Sequence, residues 1–267
     1  SRTPATTRWA RTARESDRTW VSVASSVDGR RLVAAVGYPT AGQIYVSTDF
    51  GVTWTARDSN RLWVSVAMSA DGMKIAAADG GSEYFGDIHT STDGGVTWTA
   101  SGHPKNWGPV AMSADGSKLV AGDLSYSGGS LYLSTDFGAT WTARMTDQGR
   151  RWHSIAVSAD GSRLAAVDFG VGGAGGQMLT SADGGANWTA VEGLGVWIRV
   201  AMSGDGRSLV AAEWGPDLGR VGRRPLHVST DFGATWTTHG PEQYWHAPAL
   251  SDDGSRMVAG DVGSLNP

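Results

Sequence analysis

An eight-residue phrase recurs five times in this chain, at Ser47–Trp54, Ser91–Trp98, Ser134–Trp141, Ser181–Trp188 and Ser229–Trp236. A second phrase, Trp-(x)5-Ser-x-Asp-Gly, starts at Trp63, Trp107, Trp152, Trp197 and Trp245, with a sixth copy at Trp20. The two alternate without exception, and the spacing between like phrases runs from 43 to 48 residues. A repeat of that length is one supersecondary unit too small to bury its own faces, so its neighbours must bury them. With short alternating apolar runs and no helical pattern, each unit reads as a four-stranded antiparallel sheet, and the whole as an all-β propeller of six radial blades.

Within one unit, Trp63-Val-Ser-Val-Ala-Met reads as a strand, Ser69-Ala-Asp-Gly72 as a turn and Met73-Lys-Ile-Ala-Ala-Ala78 as the returning strand. Asp-Gly is a strong hairpin signal because Gly accepts positive φ and Asp accepts nearby backbone N–H groups. A variable loop leads to a third strand at 87–91, and the eight-residue phrase turns the chain into a fourth at Trp98-Thr-Ala. The ends supply the missing strands: Gly263-Ser-Leu-Asn-Pro267 followed by Ser1 reads like Gly129-Ser-Leu-Tyr-Leu-Ser134, and Trp9 falls where Trp141 does. The expectation is a single domain over 1–267, its last blade built from about 1–12 and 245–267, with the N-terminal strand pairing with the C-terminal strands to close the ring. The alternatives are an open five-bladed arrangement and a dimer exchanging terminal strands.

The eight-residue phrase, S-x-D-x-G-x-T-W, resembles the Asp-box or BNR repeat of the sialidase-like β-propeller superfamily. The resemblance spans almost the whole chain and implies structural roles for Asp49, Asp93, Asp136, Asp183 and Asp231. It implies a fold rather than an activity, since the repeat serves glycosidases, lectin-like proteins, receptors and assembly factors. It also favours a secreted or periplasmic location.

Composition narrows the functions. A net charge of -4 and a pI near 5.8 give no attraction to nucleic acid or an anionic membrane surface. The absence of Cys excludes disulfides and thiolate chemistry. No apolar run is long enough to insert in a membrane, and the start at Ser1 leads to the expectation of a mature or trimmed chain. The sequence offers no cofactor or metal motif, and a monomer is expected.

Candidate binding residues gather on the rim opposite the Asp-Gly turns, where loops vary on a regular scaffold. Asp79, Asp123, Asp168, Glu213 and Asp261 end the second strand of their units and form a ring of carboxylates. Such acids can meet a hard cation or sugar hydroxyls, or cap backbone donors of their own loops. Trp214 has no equivalent in other units and sits in the longest loop, while Tyr84 and Tyr126 stand in shorter ones. The first-strand Trps and the phrase Trps read as packing between blades, the latter more strongly core. His153, Arg199 and His246 border one sector of the axial opening, where a cation can hold an anion or merely line a wet channel. Arg31, Lys74, Lys118, Arg163 and Arg256 follow the Asp-Gly turns and read as local partners of turn carboxylates.

The resemblance implies, for a sialidase, three Arg, a Tyr–Glu nucleophile and an Asp acid or base. Arg199, Arg220 and Arg224 are candidate arginines, but the tyrosines lack Glu partners beyond the local Glu83–Tyr84 pair. The sequence therefore favours a non-enzymatic binding propeller, lectin-like, recognising a glycan through the variable face. A protein-interaction scaffold is the first alternative and a glycoside hydrolase the second.

Overall fold

In a computed structural model the described residues are 18–37, 39–81, 85–101, 103–125, 129–146, 149–169, 176–191, 196–214 and 224–261, Trp214 by its backbone alone. They form twenty-two strands in six antiparallel sheets, without a helix. The first sheet holds β1 (Trp20–Ser25), β2 (Leu32–Val36), β3 (Gly42–Ser47) and β4 (Thr55–Arg61). The second holds β5 (Trp63–Met68), β6 (Ile75–Asp79), β7 (Ile88–Ser91) and β8 (Thr99–Ala100). The third holds β9 (Trp107–Met112), β10 (Leu119–Asp123), β11 (Leu131–Ser134) and β12 (Thr142–Arg144). The fourth holds β13 (Trp152–Val157), β14 (Leu164–Asp168), β15 (Met178–Ser181) and β16 (Thr189–Ala190). The fifth holds β17 (Val196–Met202), β18 (Leu209–Trp214), β19 (Arg224–Ser229) and β20 (Thr237–Gln243), and the sixth β21 (Trp245–Leu250) and β22 (Met257–Asp261). The first strands touch in succession from β1 through β5, β9, β13 and β17 to β21, which makes them the inner strands.

The Asp-Gly turns act within and between sheets. Ser69 Oγ donates to Asp71 at 2.6 Å and accepts the Lys74 N–H at 2.9 Å, while Gly72 holds φ at 72°. A Cβ on Gly72 would meet Arg31 Cδ of the preceding sheet at 2.5 Å, and Gly116 and Gly161 stand in the same relation to Lys74 and Lys118. The basic residues expected to pair with local carboxylates therefore lie across the next sheet's turn. Lys74 Nζ donates to the Asp115 carbonyl at 3.0 Å and Lys118 Nζ to that of Asp160 at 3.1 Å. Backbone bonds follow the same direction, from Val27 N–H to Ala70, Ala70 to Ala114, Ala114 to Ala159, Ala159 to Gly204 and Gly204 to Asp252, at 2.7–2.9 Å.

The core lies between sheets. Trp63, Trp107, Trp152 and Trp197 are fully buried, each facing the preceding sheet. Small residues such as Ala76, Ala78 and Ala166 make room for these indoles and their neighbours. Trp63, Trp107 and Trp197 stand edge-on to His89, Tyr132 and His227 at centroid distances of 5.1–5.3 Å, an arrangement that favours the aromatic quadrupoles. The phrase Trps reverse the expected order of burial. Trp54, Trp98, Trp188 and Trp236 are half-buried, because each folds over its own turn and donates Nε1–H to the Gly51, Gly95, Gly185 or Gly233 carbonyl at 3.0–3.1 Å.

Closure is not part of the described structure. The strand expected at about 1–12 and the residues after Asp261 lie outside the described residues. Among the described residues no turn bond returns from Asp252 to Val27. Val23 is 68% exposed in the first sheet, and Val258 is 55% exposed in the last.

Candidate functional site

Four acids of the expected ring are tied up within the fold, Asp79 and Asp123 by their own loops and Asp168 and Glu213 by basic side chains. Asp79 accepts the Gly81 N–H at 2.8 Å, and Asp123 accepts the Ser125 N–H at 2.9 Å. Asp168 pairs with Arg150, and Glu213 Oε2 meets His227 Nε2 at 3.0 Å. Asp261 is exposed and lies opposite Trp245 in the last sheet. The returning loops enforce this burial: a Cβ on Gly86, Gly129 or Gly176 would fall 1.8–2.1 Å from the carbonyl oxygen of Asp79, Asp123 or Asp168. Glycine lets the chain pass directly over each strand end. Among the described residues no three His, Asp or Glu side chains converge as metal ligands. Trp214, expected in the longest loop, instead ends β18 with its backbone opposite Val196, while its side chain, Tyr84, Tyr126 and Arg220 lie outside the described residues.

The five phrase aspartates are built into their turns. Asp49 accepts the Thr53 hydroxyl at 2.6 Å, the Thr53 N–H at 2.9 Å and the Ser47 hydroxyl at 2.8 Å. These donors hold its carboxyl down to about 2, led by the Thr53 hydroxyl. Asp136 and Asp231 are held down to about 2 in the same way, Asp183 to about 2 chiefly by the Asn187 N–H, and Asp93 lower still.

An open cavity of about 770 Å³ lies along the seam between the first and last sheets and reaches the axis. Trp20, Ser22 and Val23 of β1 form one wall, Ala247, Pro248 and Ala249 of β21 the opposite one, and Ser154, Arg199 and Val200 the inner end. Trp20 is 38% exposed, unlike its buried equivalents, because the preceding face that covers them is replaced here by the seam. It remains oriented by Tyr45, edge-on at 5.4 Å, and by Trp54 at 6.3 Å. No Asp or Glu lines the cavity among the described residues.

The inner wall is organised by serines. A register shift follows the first-strand Trp in the first, second and fourth sheets and re-aims the residue two positions on, as a bulge does. Ser22, Ser65 and Ser154 thereby accept the N–H groups of Val66, Val110 and Val200 in the next sheet at 3.0–3.1 Å. Arg199 stands at the corresponding place in β17. Its guanidinium meets His153 Nδ1 and donates to the Ile198 carbonyl at 2.9 Å. Burial lowers its pKa to about 10. Burial, followed by the Arg199 charge, lowers His153 to about 4 and also lowers His246. Sequence reasoning placed these three in one sector, but it missed the exposure of Trp20 and the serine bridges. The recurring Trp-x-Ser of the first, second and fourth units was the available signal for the bridges.

The BNR/Asp-box repeat model matches residues 45–56, which span the first of these turns. This chain carries the BNR/Asp-box repeat. No curated protein sequence matches it. Among solved structures, a GH74 xyloglucanase from Xanthomonas campestris is 16% identical with a TM-score of 0.68, over 90% of this chain and 43% of the other. Hydrazine synthase from Kuenenia stuttgartiensis is 12% identical with a TM-score of 0.72, over 98% and 77%. YCF48 bound to D1 peptide is 17% identical with a TM-score of 0.52, over 83% and 81%. The Asp-box chain thus spans less than half the length of the xyloglucanase. At these identities the likeness is one of fold, that of a β-propeller.

Proposed function

We propose that this Asp-box chain is a non-enzymatic binding propeller with a lectin-like site in the seam cavity. A sugar ring packs on the exposed part of Trp20 and exchanges hydrogen bonds with polar groups at the inner end. Trp214, Tyr84 and Tyr126 are further candidate contacts for the glycan. The observation that carries this reading is the cavity lining, which combines a part-exposed indole with hydrogen-bonding groups and, among the described residues, no carboxylate. Sugar recognition uses an aromatic face and a few polar groups, whereas retaining or inverting hydrolysis uses two carboxylates.

A glycan array tests it. Binding to a restricted set of glycans that is lost in Trp20→Ala supports the reading, and silence across a broad array refutes it. Turnover of a fluorogenic glycoside by the unmodified protein refutes the non-enzymatic part. Protein recognition is the second reading, favoured by the exposed apolar Val23, Met257 and Val258 and by the peptide bound to the YCF48 relative.

A further inference from the structure

We propose that Arg199 anchors a small-oxyanion site at the inner end of the seam cavity, taking the phosphate or carboxylate end of a ligand. Its place in the fold is the first argument. At the equivalent position of the first, second and fourth sheets a serine ties its sheet to the backbone N–H of the next. The partner position after Arg199 is Pro248, which has no N–H to offer. The tie is therefore chemically closed at this junction, and the position carries a guanidinium that reaches the cavity instead.

The second argument is charge. Arg199 is half-buried, and among the described residues the contacts it makes are with neutral acceptors, the Ile198 carbonyl and His153. Arg151 and His153 act from the β13 side and His246 from β21, so the charged or titratable groups bearing most strongly on this point are all basic. A half-buried cation that faces, among the described residues, no carboxylate favours an incoming anion, which supplies charge-assisted hydrogen bonds there. The facing wall is also unusual. Ala247 holds φ at 50°, and the register of β21 slips between His246 and Ala249. A left-handed alanine costs about 1–2 kcal/mol, and strain of this kind gathers at ligand clamps.

The site is independent of what Trp20 binds, so a silent glycan array leaves it standing. The test follows the imidazole proton resonances of the unmodified protein during titration with sodium phosphate and, separately, sodium acetate, at constant ionic strength set by chloride. The expected result is a saturable shift of His153 and His246 signals by at least one oxyanion, with the His246 pKa moving upward as the anion offsets the Arg199 charge. The stronger arm identifies the ligand end as phosphate-like or carboxylate-like. Arg199→Ser should weaken the response by about 10–100-fold, as expected for loss of a charged hydrogen bond. No saturable shift up to about 20 mM of either anion, where a millimolar site is filled, overturns the proposal. So does an equal response in the Arg199→Ser protein. If that variant fails to fold, the unmodified protein's titration still decides.

Discussion

Replacing Trp20 and Trp63 by alanine in separate proteins tests whether the seam stands open. The two residues occupy equivalent places at the start of β1 and β5, yet Trp63 is 0% and Trp20 38% exposed. A fully buried indole withdraws about 150–250 Å² from water, which at roughly 25 cal/mol per Å² corresponds to about 4–6 kcal/mol. Trp20 withdraws about three-fifths as much, so Trp20→Ala should cost about 2–4 kcal/mol and Trp63→Ala about 1.5–2.5 kcal/mol more. The buried site also retains a cavity, which adds to its cost. Urea unfolding followed by circular dichroism reads the difference directly, and at about 2–4 °C per kcal/mol the melting temperatures should be separated by about 3–10 °C. Equal losses would mean that Trp20 is packed like its counterparts, and the cavity assigned to sugar binding would not exist in solution.

Gly86→Ala places a Cβ 1.8 Å from the Asp79 carbonyl oxygen, so a backbone shift and a loss of about 3 kcal/mol or more are expected. Gly29→Ala is the control, at φ 70° with nothing within 4 Å, and should lose no more than about 1–2 kcal/mol in the same unfolding assay. Acid should also weaken the fold. Asp49, Asp136, Asp183 and Asp231 sit below their ordinary 3.8, at about 2. A carboxyl lowered by folding stabilises the protein above its unfolded pKa, and that contribution disappears as pH falls through the folded value. The melting temperature should therefore decline between about pH 4 and pH 2, and a flat profile across that window would refute these hydrogen-bonded carboxylates.

Local signals were legible and cross-sheet partnerships were not. The Trp and Asp-Gly markers place β5 at Trp63–Met68 as read from the sequence, because turn chemistry and alternation act over a few residues. The fourth strand is shorter than expected, only Thr99–Ala100 in the second sheet, since the phrase Trp folds over its turn instead of extending the ladder. The acids at the strand ends were visible as a recurrent set, but their inward turn depends on loops closing over them at Gly86, Gly129 and Gly176. Ser65 illustrates the limit: nothing near it in the chain indicates that its partner is Val110, 45 residues away. Trp20 carries the same local pattern as Trp63, and only its position at the seam leaves it exposed.

The one-way run of turn bonds from Val27 to Asp252 gives each module a tongue on one flank and a groove on the other. By these turn bonds alone any module can follow any other, so this rule for joining them contains no count. The number of modules must be imposed by curvature and by how the terminal pieces meet, and duplicating or deleting one would leave every remaining turn bond chemically familiar.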